Sequence, residues 1–145
     1  MNKEATALNV SVLTADERRI YSALADALIP HAEGMPSASE ADVPTFWVEE
    51  ALRFRPDLVA PVREAIARCG TGTPYDSLEN LNSQYVPLFE ALGTITAGAY
   101  FMNPEIRELV GYPGQVATPI RDDTADYFEL LEHVAERGEI YRKVP

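Results

Sequence analysis

With 145 residues, 46% of them apolar and 24% charged, the chain has the length and composition of one globular domain with a single substantial core. Twelve basic against 23 acidic residues give a net charge of −11, which repels nucleic acid and anionic lipid and excludes nucleic-acid binding as a function. No apolar run approaches the roughly 20 residues of a membrane span, so direct membrane insertion is excluded, and one cysteine, Cys69, leaves no intramolecular disulfide.

Residues 1–13 are a polar lead ending on Val10, Val12 and Leu13, without the basic and then apolar regions of a signal peptide. Arg18-Arg19 is followed by Asp26 and Pro30, which suits an amphipathic helix and not the apolar core of a twin-arginine signal. A cytoplasmic location is therefore expected, the alternative being a periplasmic one reached by co-export with a partner. Thr14-Ala15-Asp16-Glu17 supplies both halves of a capping box and predicts a first helix with Ile20, Leu24, Ala27 and Leu28 as its buried stripe, ended by Pro30. Residues 31–43 read as a loop with a short turn at 38–41, and His31 is placed against the last carbonyls of the preceding helix.

A second helix is predicted over 44–54, with Phe46, Trp47, Ala51 and Phe54 as its apolar members and Pro56 as its end. A third, over 57–69, carries Leu58, Val62, Ala65, Ile66 and Cys69 on one face, with Gly70 in the position helix ends favour. Cys69 is read as core and not as a nucleophile. After the linker 71–74, Asp76-Ser77-Leu78-Glu79 offers a second capping box for a helix with Leu78, Leu81 and Tyr85 inside.

The longest apolar signal opens at Pro87 and places Leu88, Leu92, Ile95, Ala99 and Met102 on one stripe. Gly93, Thr94, Thr96, Ala97 and Gly98 leave room for another helix backbone to approach. The pattern breaks at Asn103-Pro104, runs on through Ile106 and Leu109, and stops at Gly111-Tyr112-Pro113-Gly114. There Gly111 suits the left-handed region and Pro113-Gly114 the centre of a type II turn. After a loop over 115–121, Asp122 and Asp123 place negative charge at the start of a last helix, with Tyr127, Leu130, Leu131 and Val134 as its buried face and Gly138 as its end. The expected fold is all-α, a compact bundle of six to seven helices in one domain over 14–138, with 139–145 as a short tail.

No nucleophile with a base, Gly-rich phosphate loop, cysteine pair or serine elbow is present, so no catalytic residue is assigned. Glu129 and His133 could share a helix face, but a carboxylate-bridged di-metal bundle needs two inward Glu-x-x-His pairs, and no such pair occurs. Neither a metal nor a cofactor is expected in this chain. The aromatic residues carry more information. Trp47, Tyr100, Phe101, Tyr112, Tyr127 and Tyr141 suit either a core with hydroxyls at its rim or a protein interface, while Phe46 and Tyr85 read as core. The tail Ile140-Tyr141-Arg142-Lys143-Val144-Pro145 is either a frayed end or an arm that orders on a partner.

Four segments in combination carry a resemblance: Ala27-Leu28-Ile29-Pro30, Ser39-Glu40-Ala41-Asp42-Val43, Tyr100-Phe101-Met102-Asn103-Pro104 and Gly111-Tyr112-Pro113-Gly114. Over residues 14–114 the chain resembles the gluconate 2-dehydrogenase subunit 3 family. The resemblance implies a non-catalytic small subunit that binds and stabilises, in the manner of a chaperone, a large FAD-dependent subunit of the glucose-methanol-choline type acting on a sugar or glycoside. Some such systems add a cytochrome. The FAD would belong to the partner, and Trp47, Tyr100, Phe101, Tyr112, Pro113, Gly114, Ile140 and Tyr141 are the residues expected at the interface. The alternatives are a free-standing helical interaction or regulatory protein without a flavoprotein partner and, third, a metal-dependent helical enzyme.

Overall fold

The computed structural model describes residues 11–70, 72–117 and 124–140, and these are all-α. Helix α1 is Ala15–Leu28; a π-helical turn, Val43–Trp47, runs into α2, Val48–Phe54; and a 3₁₀ turn, Pro56–Leu58, leads into α3, Val59–Arg68. Then come α4 (Pro74–Gln84), α5 (Val86–Met102), α6 (Pro104–Leu109) and α7 (Thr124–Arg137). The chain forms two compact units, Met1–Gly114 and Gln115–Pro145, so a boundary falls inside the span 14–138.

In the first unit α1 begins as its sequence dictates. The Glu17 N–H donates to Thr14 Oγ1 at 3.2 Å and the Thr14 N–H to Glu17 Oε2 at 2.8 Å, so two otherwise free amides are satisfied reciprocally. Glu17 also accepts from Arg63 Nε at 2.7 Å, which ties α1 to α3. The buried face of α1 is centred on Tyr21, Leu24 and Ala25, while Ile20, Ala27 and Leu28 are half-buried at its edges.

Helix α5 is the hub of this unit: it packs against α2, α3 and α4, and more lightly against α1 and α6. It therefore buries more than one stripe, with Ala91, Leu92, Ile95, Thr96, Ala99 and Tyr100 all inside. Each side chain the size of Leu92 contributes about 1.5–3 kcal/mol by leaving water. Thr96 is accommodated by donating to the Leu92 carbonyl at 2.7 Å, and its oxygen lies 3.0 Å from the Tyr21 hydroxyl. The only proton on Thr96 Oγ1 is thereby used, so Tyr21 must be the donor in that second bond. Thr94, Ala97 and Gly98 face solvent, and no other part of the described chain fills the space beside Gly93 and Gly98. The close helix approach expected on that side is not made within the described residues.

Three local expectations are corrected. Val43–Trp47 is π-helical, with the Trp47 N–H reaching back to the Asp42 carbonyl at 3.2 Å and the Val48 N–H to Val43. The extra residue per turn rotates the helix beyond it, so Val48, Ala51 and Leu52 point inward while Phe46 and Phe54 are 52% and 74% exposed. Helix α4 starts at Pro74 and not at Asp76-Ser77-Leu78-Glu79: Thr73 is the cap, its hydroxyl oxygen accepting the Asp76 N–H at 3.2 Å. Helix α3 ends on Cys69 without a left-handed glycine at position 70; the left-handed residue is Gly72. Cys69 itself is buried, as expected, and burial pushes its thiol above the ordinary range. Tyr85 is half-buried, its ring under the Arg68 guanidinium at 4.1 Å.

In the second unit α7 is followed by Gly138, which adopts φ 71° as expected of a terminator. Its predicted buried face is not buried. Tyr127, Leu130, Leu131 and Val134, with Phe128 beside them, are all exposed, Leu131 by 61%. Helical periodicity states that such a face gains by being covered; it does not state that the cover comes from the same chain. Asp122, Asp123, Tyr141 and Val144 lie outside the described residues.

Candidate protein-binding surface

The surface is assembled on a loop that has little regular structure of its own and is pinned by side chains. The Tyr100 hydroxyl donates to the Pro36 carbonyl at 2.7 Å, and Asn103 Nδ2 donates to the Ala41 carbonyl at 3.1 Å. Asn103 also caps α6, its Oδ1 accepting the Glu105 N–H at 2.9 Å. On the other side the Ser39 N–H donates to Asp26 Oδ1 at 2.7 Å. Within the loop, Glu40 Oε2 accepts the Ser37 N–H at 2.7 Å and lies 2.8 Å from His31 Nδ1. His31 is thus engaged by Glu40 and not by the carbonyls ending α1. The Ser37 N–H, and then His31, hold the Glu40 carboxyl below its usual range.

The loop ends at Asp42, whose φ of 57° is left-handed, a conformation that costs a non-glycine residue about 1–2 kcal/mol. That strained residue opens the π-helical turn and sets the direction of the next side chains. Phe46 packs edge-on against Trp47, with ring centroids 4.8 Å apart. An open groove of about 340 Å³ lies between Asp42, Phe46 and Trp47 on one side and Asn103, Pro104 and Glu105 on the other.

Pro104 also borders a second open groove, of about 430 Å³, lined by Arg107, Glu108, Gly111, Tyr112 and Pro113. Its far wall is built by the turn that ends α6. The Tyr112 N–H donates to the Arg107 carbonyl at 2.8 Å and the Gly111 N–H to the Glu108 carbonyl at 2.9 Å, with Gly111 at φ 70°. This pair of bonds is a Schellman motif. Gly114, at φ 84°, has the backbone that the third position of a type II turn requires. The turn holds Tyr112 54% exposed, and Leu109 and Val110 are exposed next to it.

Behind Phe46 the first unit is anchored by Glu49, a carboxylate only 6% exposed. It accepts the Val12 N–H at 2.6 Å, the Leu13 N–H at 3.2 Å, the Ser11 hydroxyl at 2.8 Å and Arg18 Nη2 at 2.9 Å. Burial pushes this carboxyl up, but the hydrogen bonds from Val12, Ser11 and Leu13 and the Arg18 charge outweigh it and hold it below the ordinary range. One side chain of α2 thereby fastens residues 11–13 and α1.

The structure brings together Trp47, Tyr112 and Pro113 of the residues expected at an interface, through Pro104. Tyr100 is only 3% exposed and acts from inside, as a fastener of the loop. Phe101 is exposed and packs edge-on against Tyr100 at 5.5 Å, but it lines neither groove. Gly114 is half-buried, Ile140 is exposed in the second unit, and Tyr141 lies outside the described residues. Phe46, Pro104, Leu109 and Val110 were not anticipated. For the last two the spacing misleads: at i+3 and i+4 from the buried Ile106 they read as part of its face, yet both are exposed where α6 ends. Among the described residues no group of three or more His, Cys, Asp or Glu side chains could hold a metal ion. Glu129 and His133 are both exposed on α7, and no described helix is long and apolar enough to cross a membrane. Compared with protein-family models, with curated proteins and with solved structures, the chain matches none.

Proposed function

We propose that this chain is a non-catalytic small subunit that binds and stabilises a large FAD-dependent dehydrogenase or oxidase acting on a sugar or glycoside. The observation that carries the reading is the aromatic surface around Pro104, where Phe46 and Tyr112 stand out of the fold, with Trp47 half-buried beside Phe46, on backbone fixed by the π-helical turn and the Schellman turn. Exposed rings on fixed backbone lose little entropy on association, which is why aromatic anchors dominate protein interfaces. The partner's class comes from the resemblance of residues 14–114. In this reading the flavin is held by the partner, and this chain contributes contact and not chemistry.

The test is co-expression with a flavoprotein of that class encoded beside it. The soluble, FAD-loaded yield of the flavoprotein is expected to rise, and the two chains to elute together, because a ligand that binds only the folded state stabilises it. Phe46→Ala and Tyr112→Ala should each weaken assembly by about thirtyfold, the equivalent of about 2 kcal/mol for a central anchor. An unchanged yield with separate elution would overturn the proposal.

A further inference from the structure

We infer that Arg107, which lines the groove beside Tyr112, is the seat of an Asp or Glu carboxylate brought by the partner chain. The inference rests on the proposed subunit role for the existence of that partner, and goes beyond it in naming the group that enters the groove. Five of the eight arginines in the described residues, Arg18, Arg53, Arg55, Arg63 and Arg68, are ion-paired to a carboxylate of their own chain. Arg19 and Arg137 are not, but both are exposed to water. Among the described residues Arg107 alone combines partial burial with no acceptor for any of its side-chain donors.

The Arg107 Nε is shielded from water and meets no acceptor. Arg18 has the same shielded, unbonded Nε, yet its Nη2 is held by Glu49 Oε1 at 2.9 Å and by Ser11 Oγ at 2.6 Å. What Arg18 has and Arg107 lacks is a carboxylate. Its own helix supplies none: the positions three and four residues away, which share its face, hold Asn103, Pro104, Val110 and Gly111. The Asn103 amide is already spent on the Ala41 carbonyl and the Glu105 N–H. Glu108 lines the same groove but leaves the helix about 100° further round, and it forms no ion pair with Arg107. The other walls, Pro104, Gly111, Tyr112 and Pro113, offer rings and backbone without charge. The Arg107 carbonyl accepts the Tyr112 N–H at 2.8 Å, so the guanidinium stem and the tyrosine ring are carried on one fixed turn. A carboxylate entering the groove is bound by the planar fork of the guanidinium, two donors to two oxygens, and Glu108 repels it from the other side, which fixes its direction of entry. A basic group drawn to Glu108 would instead leave the Arg107 donors unspent and set a second positive charge beside them.

The experiment titrates the full chain against the FAD-loaded flavoprotein at about 0.05 M and about 0.5 M salt. The parent is compared with Arg107→Gln, Glu108→Gln and Arg19→Gln, and melting temperatures check that each variant is folded. Arg107→Gln should weaken assembly roughly tenfold at the lower salt and by less at the higher. Glu108→Gln should tighten it, since only the repelling neighbour is removed, and Arg19→Gln, outside both grooves, should leave it level. Arg107→Glu should abolish assembly, and lysine in place of one surface Asp or Glu of the flavoprotein should restore it. Assembly indifferent to Arg107→Gln, a loss in Glu108→Gln, which is the sign a basic occupant would give, or a charge reversal that no such lysine rescues would overturn the inference and leave the subunit role standing. If Arg107→Gln does not fold, the sign of the Glu108→Gln effect decides. A parent chain that does not assemble with the flavoprotein at all overturns both readings.

Discussion

Glu49 shows how far one residue can govern a fold. A carboxylate with its charge largely removed from water is tolerated because four donors surround it. Its depressed pKa sets the sign of a pH dependence. The stability it contributes is present above the unfolded carboxylate value of about 4.3 and is lost as the pH falls through the lower folded value. Glu49→Gln should therefore destabilise by about 1–3 kcal/mol at neutral pH, and the gap to the parent should close in urea titrations at more acidic pH. Gly111 makes an equally local demand of another kind. Its φ is 70° and there is open space where a Cβ would go, so Gly111→Val should cost roughly 1–2 kcal/mol from backbone strain alone. Gly111→Asn should recover much of the loss in thermal unfolding, since asparagine tolerates the left-handed region.

Among the elements, the π-helical turn does what no regular helix over 44–54 could. It turns Val48 and Leu52 into the core and leaves Phe46 outside. Asp42 stores strain at its start, so Asp42→Gly should raise stability by about 0.5–1 kcal/mol and Asp42→Val should lower it, as read from chemical unfolding. The caps at Thr14 and Gly111 were legible in the sequence because each depends on residues within one turn of itself. The π-helical turn was not, because an inserted residue is selected by distant contacts and leaves the local pattern unchanged. Glu49 was not legible either: nothing beside it separates it from Glu50, and the donors that hold it come from residues 31 to 38 positions away. For α7 the sequence showed the apolar face but not its exposure, because periodicity marks an apolar face and says nothing of what covers it.

Across the whole molecule, the apolar residues divide into a buried set and an exposed set. Leu92, inside α5, should cost about 2–5 kcal/mol when replaced by alanine. Leu131→Ala, at an exposed position, should change stability by less than about 0.5 kcal/mol. Urea unfolding of the two variants checks the contrast; a large loss for Leu131→Ala would show that α7 belongs to the stabilising core.

The Tyr21 hydroxyl, which gives its proton to Thr96 in the interior, makes the fold legible by ultraviolet light. Burial pushes its ionisation far above the ordinary value near 10 and the Thr96 bond only partly offsets this, so the folded chain keeps that ring un-ionised in alkali that would ionise a phenol in water. The stability tied to the neutral hydroxyl is complete below the ordinary value and drains away as alkali drives the pH up through the folded one. In a spectrophotometric titration the phenolate absorbance should therefore arrive in two waves, the second coinciding with loss of helical signal. Tyr21→Phe should remove that ring's share of the late wave, giving an optical count of whether the interior is still closed.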